Sequence, residues 1–546
     1  MGAMVSGKLY FYYSIMHQKA NYLPYEGTGY FSKIVSDYLS QSSLLKPFYQ
    51  HAPTLEGIKA SIASRQTFNT PRNLLVEVLK EQYAGITVSQ KVEQNIQSLA
   101  DQNTFTVTTA HQPNIFTGPL YFIYKILHAV KLADELQTQL PQYKFVPVYY
   151  MGSEDADLDE LGFVNVGGQK LVWETKQTGA VGRMKVDKAL LKLIHAIHGQ
   201  IGVLSFGNEF TDLLNRCYTE GKTIQQATLE LVNALFGEYG LIVLIPDSGK
   251  LKTAFYSVVE KELTQKFSHT IVADTIEKLG AHYKVQAGGR EINLFYLIDN
   301  KRERIEQSGD VFEVKTLNLQ FSKEEILKEL KEHPERFSAN VILRGAFQET
   351  VLPNIAFIGG GGELAYWLEL KNVFEAVQTP YPVLLLRNSF LVMNQEQASK
   401  LEKLGFSDAD LFADELSLLN TLVKRESDHQ LNLAKELQQA NNYYAHLRLI
   451  TDAVDKTLSE HLIALEKQAL KKLTELEKKL LRAERIKYDT QKQQINKLKQ
   501  SLFPADSLQE RTDNVSVHYA THGKAWLKMI YEVSTGLNKG FGIVTV

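Results

Sequence analysis

Residues 105–125 read FTVTTAHQPNIFTGPLYFIYK, and a strand, a turn and a helix signal meet there. Phe105 to Ala110 is an apolar, β-branched run that ends abruptly in His111-Gln112-Pro113-Asn114. After Thr117-Gly118-Pro119 the apolar residues Leu120, Ile123, Tyr124, Leu127 and Val130 recur at helical spacing. A strand that runs through a glycine-containing turn into a helix offers free N–H groups and the positive end of the helix dipole to a phosphate or carboxylate. His111, Gln112, Thr117 and Gly118 are the candidate ligands of this turn, and Lys125 could neutralise charge. The plainer alternative is that the prolines and Gly118 only shape the connection. The stretch matches neither GxGxxG nor a Walker A loop.

The same junction recurs along the chain. FVPVYYMG (145–152), LIVLIPD (241–247), IAFIGGGG (355–362) and PVLLLR (382–387) are apolar runs without alternation, and helical patterns follow several of them. Such strands are buried on both faces, so the spacing predicts a parallel, doubly wound α/β sheet with ligands at the carboxyl ends of its strands. Four consecutive glycines, 359–362, are costly in backbone entropy, and their use is close approach of backbone to a ligand. Gly360, Gly361, Gly362 and Glu363 are therefore candidates, with Arg344, Asn354, Arg387 and Asn388 at or near strand ends. Two stretches interrupt the pattern, near 160–220 and 270–340, with hairpin signals at Gly167-Gly168 and Ser308-Gly309.

GSEDADLDE (152–160) follows the second strand directly. Glu154, Asp155 and Asp157 are candidate catalytic carboxylates, acting as a general base, as the site of a substrate amine, or on Mg²⁺ beside a nucleotide. The EF-hand pattern fails, because its sixth position is Glu160 and its twelfth Val166. Clustered carboxylates repel, so the loop is expected to meet a cation. A solvated acidic loop is the alternative. No set of ligands for a resident metal is predicted.

After Arg387 the composition changes. No glycine occurs between Gly405 and Gly523. Leu462, Leu465, Ala469, Leu473, Leu476, Leu480 and Ala483 form a coiled-coil seam with one stutter. A single helix over 451–502 would run about 78 Å. The expected division is a core over 1–388 and an α-helical coiled-coil domain over 389–546. The seam predicts a helix that folds back, pairs with a second chain as a homodimer, or both.

The totals set bounds. The chain has 546 residues, 44% hydrophobic and 22% charged, with a net charge of −2, so no global basic field attracts nucleic acid. The lone Cys217 allows no disulfide framework and suits a reducing cytoplasm. No signal peptide and no membrane-spanning run are expected.

Several segments together resemble the cysteine ligases of bacillithiol biosynthesis, the BshC family. They are LPYEGTGYFSKIVSDYL (23–39), HQPNIFTGPLYFIYK (111–125), PVYYMGSEDADLDE (147–160), LPNIAFIGGGGELAYWLELK (352–371), PVLLLRNS (382–389) and LFPADSLQER (502–511). The resemblance implies a Rossmann-like core with connecting-peptide insertions and a coiled coil that makes a homodimer. It implies joining of L-cysteine to glucosaminyl-malate, with ATP or another nucleotide, and with Mg²⁺, as the expected helpers. The HxGH and KMSKS signatures of class I aminoacyl-tRNA synthetases are absent, so adenylate chemistry is not carried over. A nucleotidyltransferase and a non-catalytic nucleotide-binding scaffold are the competing readings.

Overall fold

The computed structural model describes residues 20–455, 457–537 and 540–546. Its contacts divide the chain into two compact units: residues up to Leu391 with Ser507–Val544, and Val392–Asp506 with Thr545–Val546.

In the first unit, β1 (Thr104–His111), β2 (Lys144–Met151), β3 (Ile242–Leu244), β4 (Asn354–Gly359) and β5 (Val383–Leu386) form one sheet. Its order is β5-β4-β1-β2-β3, and every pairing is parallel. The chain starts in the middle at β1, moves outward through β2 to β3, then crosses back to β4 on the other side of β1. Strand order therefore reverses between β1 and β4, where a Rossmann-like sheet opens its ligand crevice. Helix α1 (Tyr121–Gln139) joins β1 to β2, α2 (Val341–Val351) leads into β4, and α3 (Gly361–Trp367) leaves it.

The absence of alternation in the strands follows from cover on both faces. Phe105 and Val107 of β1, Ile355 and Ile358 of β4, and Leu385 of β5 share one core with Ala129, Leu132 and Leu136 of α1 and with Ile58 and Ile62 of helix Leu55–Gln66. Each large aliphatic or aromatic side chain so buried contributes about 1.5–3 kcal/mol.

Both insertions lie where the spacing puts them. Between β2 and β3, strands Phe163–Val166 and Gln169–Val172 form a hairpin whose turn glycines, Gly167 and Gly168, have φ of 56° and 82°. A two-residue hairpin turn needs such left-handed residues. Between β3 and β4, Glu306–Ser308 pairs antiparallel with Val311–Val314 across Gly309.

The sequence reading gives all of 389–546 to one domain; by contacts within the fold, part of that tail groups with the sheet. Ser507–Val544 belongs to the first unit. Helix Lys524–Val533 packs on α1 through an apolar face that includes Trp526 and Ile530, and Phe541–Thr545 pairs antiparallel with Asn21–Leu23. Such an apolar face needs cover that a charged coiled coil does not give.

The second unit corrects the single helix expected over 451–502. Its helices are α4 (Ala434–Val454), α5 (Leu458–Arg485) and α6 (Asp489–Leu502). Asp455 leaves helical geometry with φ −157° and ψ 119°, and its carboxylate accepts the Thr457 N–H at 2.8 Å. Asp and Thr side chains compete for backbone partners in this way and break helices. The 28 residues of α5 span about 42 Å. α4 and α5 form an antiparallel hairpin, tied by the Leu433 N–H to Glu477 at 3.0 Å and by an Arg448–Glu466 ion pair.

Candidate active site at the strand-order reversal

A cleft of about 310 Å³ opens at the carboxyl ends of β1 and β4. His111 and Gln112 reach it from the end of β1, and Gly360, Gly361, Gly362 and Glu363 from the β4–α3 junction. Tyr121 and Lys125 come from α1, Arg344 from α2, Arg387 from beyond β5, Glu160 from the first insertion, and Arg511 from the returned tail.

Lys125 spans the crevice. Its side chain is 2% exposed; the ammonium donates to the Ala110 carbonyl at 2.8 Å and pairs with Glu363. Glu363 in turn accepts the Gly360 N–H at 2.8 Å. One lysine thus ties the last turn of β1 to the first turn of α3. Burial lowers the Lys125 pKa, and the Glu363 carboxylate opposes that shift. Arg387 is held by Glu510 at 2.7 Å and by Ser389 Oγ at 2.9 Å, with its guanidinium 5.2 Å from the centre of the Tyr121 ring. Arg344 is looser, with Asp155 at 3.7 Å and 30% of its side chain exposed. Arg511 is exposed and has no ion-pair partner among the described residues. Three of the cations therefore already carry a counter-charge. Arg344 and Arg511 are the two best able to turn toward an incoming anion.

His111 is a neutral imidazole here. Burial, then the charges of Lys125, Arg387 and Arg344, hold its pKa well below the usual histidine value. Its Nε2 is buried without a hydrogen-bond partner.

The N-terminal region matches the model "Bacillithiol biosynthesis BshC, N-terminal Rossmann-like domain" over residues 16–388. Residues 390–546 match "Bacillithiol biosynthesis BshC, C-terminal coiled-coil domain". The chain belongs to the BshC family. A Flavobacterium johnsoniae protein named "Putative cysteine ligase BshC" is 40% identical over 96% of this chain and 99% of its own length. Proteins of the same name from Christiangramia forsetii and Flavobacterium psychrophilum are each 38% identical over 96% of this chain, covering 99% and 98% of their own. Among solved structures, a "putative arginyl t-RNA synthetase" from Campylobacter jejuni aligns with 81% of this chain and 97% of its own at 10% identity and a TM-score of 0.23, too low to argue from.

In this BshC-family fold, nine candidates from the sequence meet in the cleft: His111, Gln112, Lys125, Arg344, Gly360, Gly361, Gly362, Glu363 and Arg387. Of the turn that suggested an anion site, Thr117 and Gly118 do not open onto it. Phe116, Thr117 and Gly118 have φ of 51°, 75° and 62°, a left-handed run that costs about 1–2 kcal/mol per non-glycine residue. The Asn514 side chain fills the turn, donating to the Phe116 carbonyl at 2.9 Å and the Gly118 carbonyl at 2.6 Å. The Leu120 N–H at the start of α1 is taken by the Asp513 carbonyl at 2.8 Å. Thr117 is buried, and Gly118 faces a separate chamber of about 200 Å³. The chain's own tail supplies the polar partners that the turn was expected to take from a ligand.

The acidic loop likewise finds its cations within the chain. Glu154 pairs with buried Lys252 and accepts from Ser338 Oγ at 3.1 Å, outside the cleft. Asp155 stands behind the cleft wall, accepting from Gln112 at 3.2 Å. Burial would raise its pKa, but Arg344 and Arg302 outweigh that and hold it below the usual carboxylate value. Asp157 caps helix Leu158–Leu161, accepting the Glu160 N–H at 3.1 Å. The three acids do not converge.

Two further candidates serve the fold. Asn354 sits at the opposite end of β4, donating to Glu349 at 2.7 Å. Asn388 is buried against Thr535, with bonds of 3.1 and 2.9 Å. The sequence reading missed Tyr121, Glu160, Tyr366 and Arg511, all of which line the cleft. For Arg511 a signal existed: it closes LFPADSLQER, beyond Pro504 and outside the heptad pattern.

The Asp513 side chain, next to the plugged turn, offers a pH test of its own burial. Burial pushes its carboxyl pKa up from 3.8 to about 6. A carboxyl whose folded pKa is raised contributes stability that is full below the unfolded value and lost as pH rises through the folded one. Asp513→Asn should therefore be more stable than the parent by up to about 3 kcal/mol at pH 8 and nearly equal to it at pH 4. Urea unfolding at both pH values checks this. Equal midpoints at pH 8 would remove the buried-charge account of this carboxyl.

Proposed function

We propose that this chain is a cysteine ligase that joins the carboxylate of L-cysteine to the amino group of glucosaminyl-malate, completing bacillithiol. The support is the family match along the chain, joined to a cleft at the strand-order reversal that assembles Lys125, Arg344, Arg387 and Arg511 around a neutral His111. A bound nucleotide, ATP or another, would supply the activation that amide formation from a free carboxylate requires. Arg344 is placed to hold phosphate or carboxylate oxygens, and Gly362 leaves room for backbone approach, since a Cβ there would meet nothing within 4 Å. Catalysis in this reading is positioning and charge stabilisation by fixed groups. Among the described residues no three of His, Cys, Asp and Glu cluster to hold a metal. A Mg²⁺ ion would therefore enter with the nucleotide, held mainly by phosphate oxygens with Glu160 or Glu363 of the cleft, and no step is assigned to it.

The test is turnover of L-cysteine and glucosaminyl-malate by purified protein, with and without ATP, followed by mass spectrometry of the thiol product and of AMP or ADP. Product formation without nucleotide would remove the nucleotide from the reading. No product under either condition would leave the nucleotidyltransferase and scaffold readings.

A cytoplasmic setting and a homodimer belong to the same proposal. No described helix is long and apolar enough to cross a membrane, and the free Cys217 is buried. In the arm, no described residue of α4 is buried, and in α5 only Leu462 and Glu484 are. Leu465 is 41% and Leu476 45% exposed, apolar surface that a second copy would cover. Leu465→Glu with Leu476→Glu should give monomers with unchanged thermal stability of the first unit, measured by light scattering and calorimetry. A parent protein that is already monomeric at micromolar concentration would defeat the dimer.

A further inference from the structure

A second, smaller chamber of about 200 Å³ adjoins the cleft and shares Tyr121, Glu160 and Arg511 with it. Gly118, Pro119, Phe163 and Val164 form its apolar side, and Asn114, Asn165 and Thr512 add polar groups to the wall. A cavity of about 150 Å³ admits benzene, so this chamber has room for a small amino acid but not for a glycoside.

The two charges on the shared wall are unlike the other charges of the site. Lys125, Arg344 and Arg387 each face a carboxylate of the chain, at Glu363, Asp155 and Glu510. Glu160 and Arg511 have no ion-pair partner among the described residues. Asn114, 5% exposed, also lines the chamber, and its Oδ1 is buried without a hydrogen-bond partner. One free carboxylate, one free guanidinium, an unsatisfied amide oxygen and a wall that is part apolar, part polar make a set of partners for an α-amino acid zwitterion with a small, weakly polar side chain.

We propose that the chamber is the amino-acid subsite of the ligase: Glu160 receives the ammonium of L-cysteine, Arg511 its carboxylate, and the side chain lies between the Phe163–Val164 wall and Asn114. The assignment rests on the cysteine-ligase reading. Arg511, like Glu160, also lines the larger cleft, where the amine of the second substrate has room. Glu160 needs such a partner: burial, then Asp157 and Asp155, raise its carboxyl pKa, and an ammonium would relieve that repulsion.

The test uses the full chain and three ligands: L-cysteine, cysteamine, which lacks the carboxylate, and 3-mercaptopropionate, which lacks the ammonium. Binding is measured by calorimetry with and without a non-hydrolysable ATP analogue, beside turnover assays. Glu160→Gln should weaken L-cysteine by at least about tenfold while leaving 3-mercaptopropionate unchanged, because a charge-assisted hydrogen bond is lost in one case only. Arg511→Gln should weaken L-cysteine similarly and leave cysteamine unchanged. Both residues are exposed, so both variants should melt with the parent. Turnover with parental KM for cysteine in both variants would overturn the subsite and leave the ligase reading intact, as would equal losses for all three ligands. A parent chain that neither binds nor consumes cysteine overturns both.

Discussion

Lys125→Met should lower kcat/KM for cysteine and glucosaminyl-malate by about a hundredfold or more, the effect of removing one fixed donor from a preorganised site. Its effect on folding should be small by comparison. The lysine is 2% exposed, but Glu363, the partner left behind, is 23% exposed and can take water in its place. The Ala110 carbonyl loses its donor as well. About 1 kcal/mol is expected from these losses together. The two ends of the crevice would then be free to drift, and a small displacement of positioned groups is expensive in rate. Steady-state kinetics with a urea melt on the same sample decides it. Near-parental kcat/KM in a stably folded variant would take Lys125 out of the chemistry.

Arg65→Met should do the reverse, costing about 3–5 kcal/mol of stability with the cleft untouched. The side chains of Arg65 and Glu349 are 1% and 0% exposed and lie 2.6 Å apart. Arg65 also donates to the carbonyls of Asn354 at 2.9 Å and Glu349 at 2.7 Å. Burial moves both partners toward neutrality, lowering the arginine pKa to about 10 and raising that of Glu349. The pair is thus no stability gain over an apolar substitute, yet breaking one half strands the other. Without Arg65 the Glu349 pKa rises further. The deficit should be largest at alkaline pH and shrink as acid protonates the carboxyl. Urea unfolding at pH 5 and pH 8 reads both statements, and a loss below about 1 kcal/mol would contradict them.

The sequence was legible where one physical rule acts alone. Runs such as 105–110 and 355–358 have to be buried on both faces, and the sheet follows. Gly167-Gly168 can scarcely be anything but a tight hairpin turn. The arm is legible as helical and able to fold back, but the place of its break is not. The break at Asp455 carries no glycine or proline, only the poor helix formers of the TDAVDKT stretch, 451–457. The cleft was legible from its strand ends, while the turn at Thr117 and Gly118 was not. A helix start looks the same in sequence whether a phosphate or the chain's own Asn514 occupies it. The acids misled for the same reason: Lys252 lies 98 residues from Glu154, and no local pattern joins them.

The bond from Asn514 to Gly118 closes a loop of 396 residues. At about 5–20 residues per second, a ribosome needs about 20–80 s between making one end and the other. All five strands of the sheet exist long before that. Until then the left-handed turn at 116–118 has no lock, buried Arg387 has no Glu510, and the cleft has no Arg511. The nascent sheet has to wait, with its crevice unfinished, while the whole arm is synthesised. Contacts this distant in sequence also make for slow folding. The catalytic unit is therefore complete only when nearly the last residues have emerged, and a chain cut between sheet and tail would yield a folding intermediate, not a smaller enzyme.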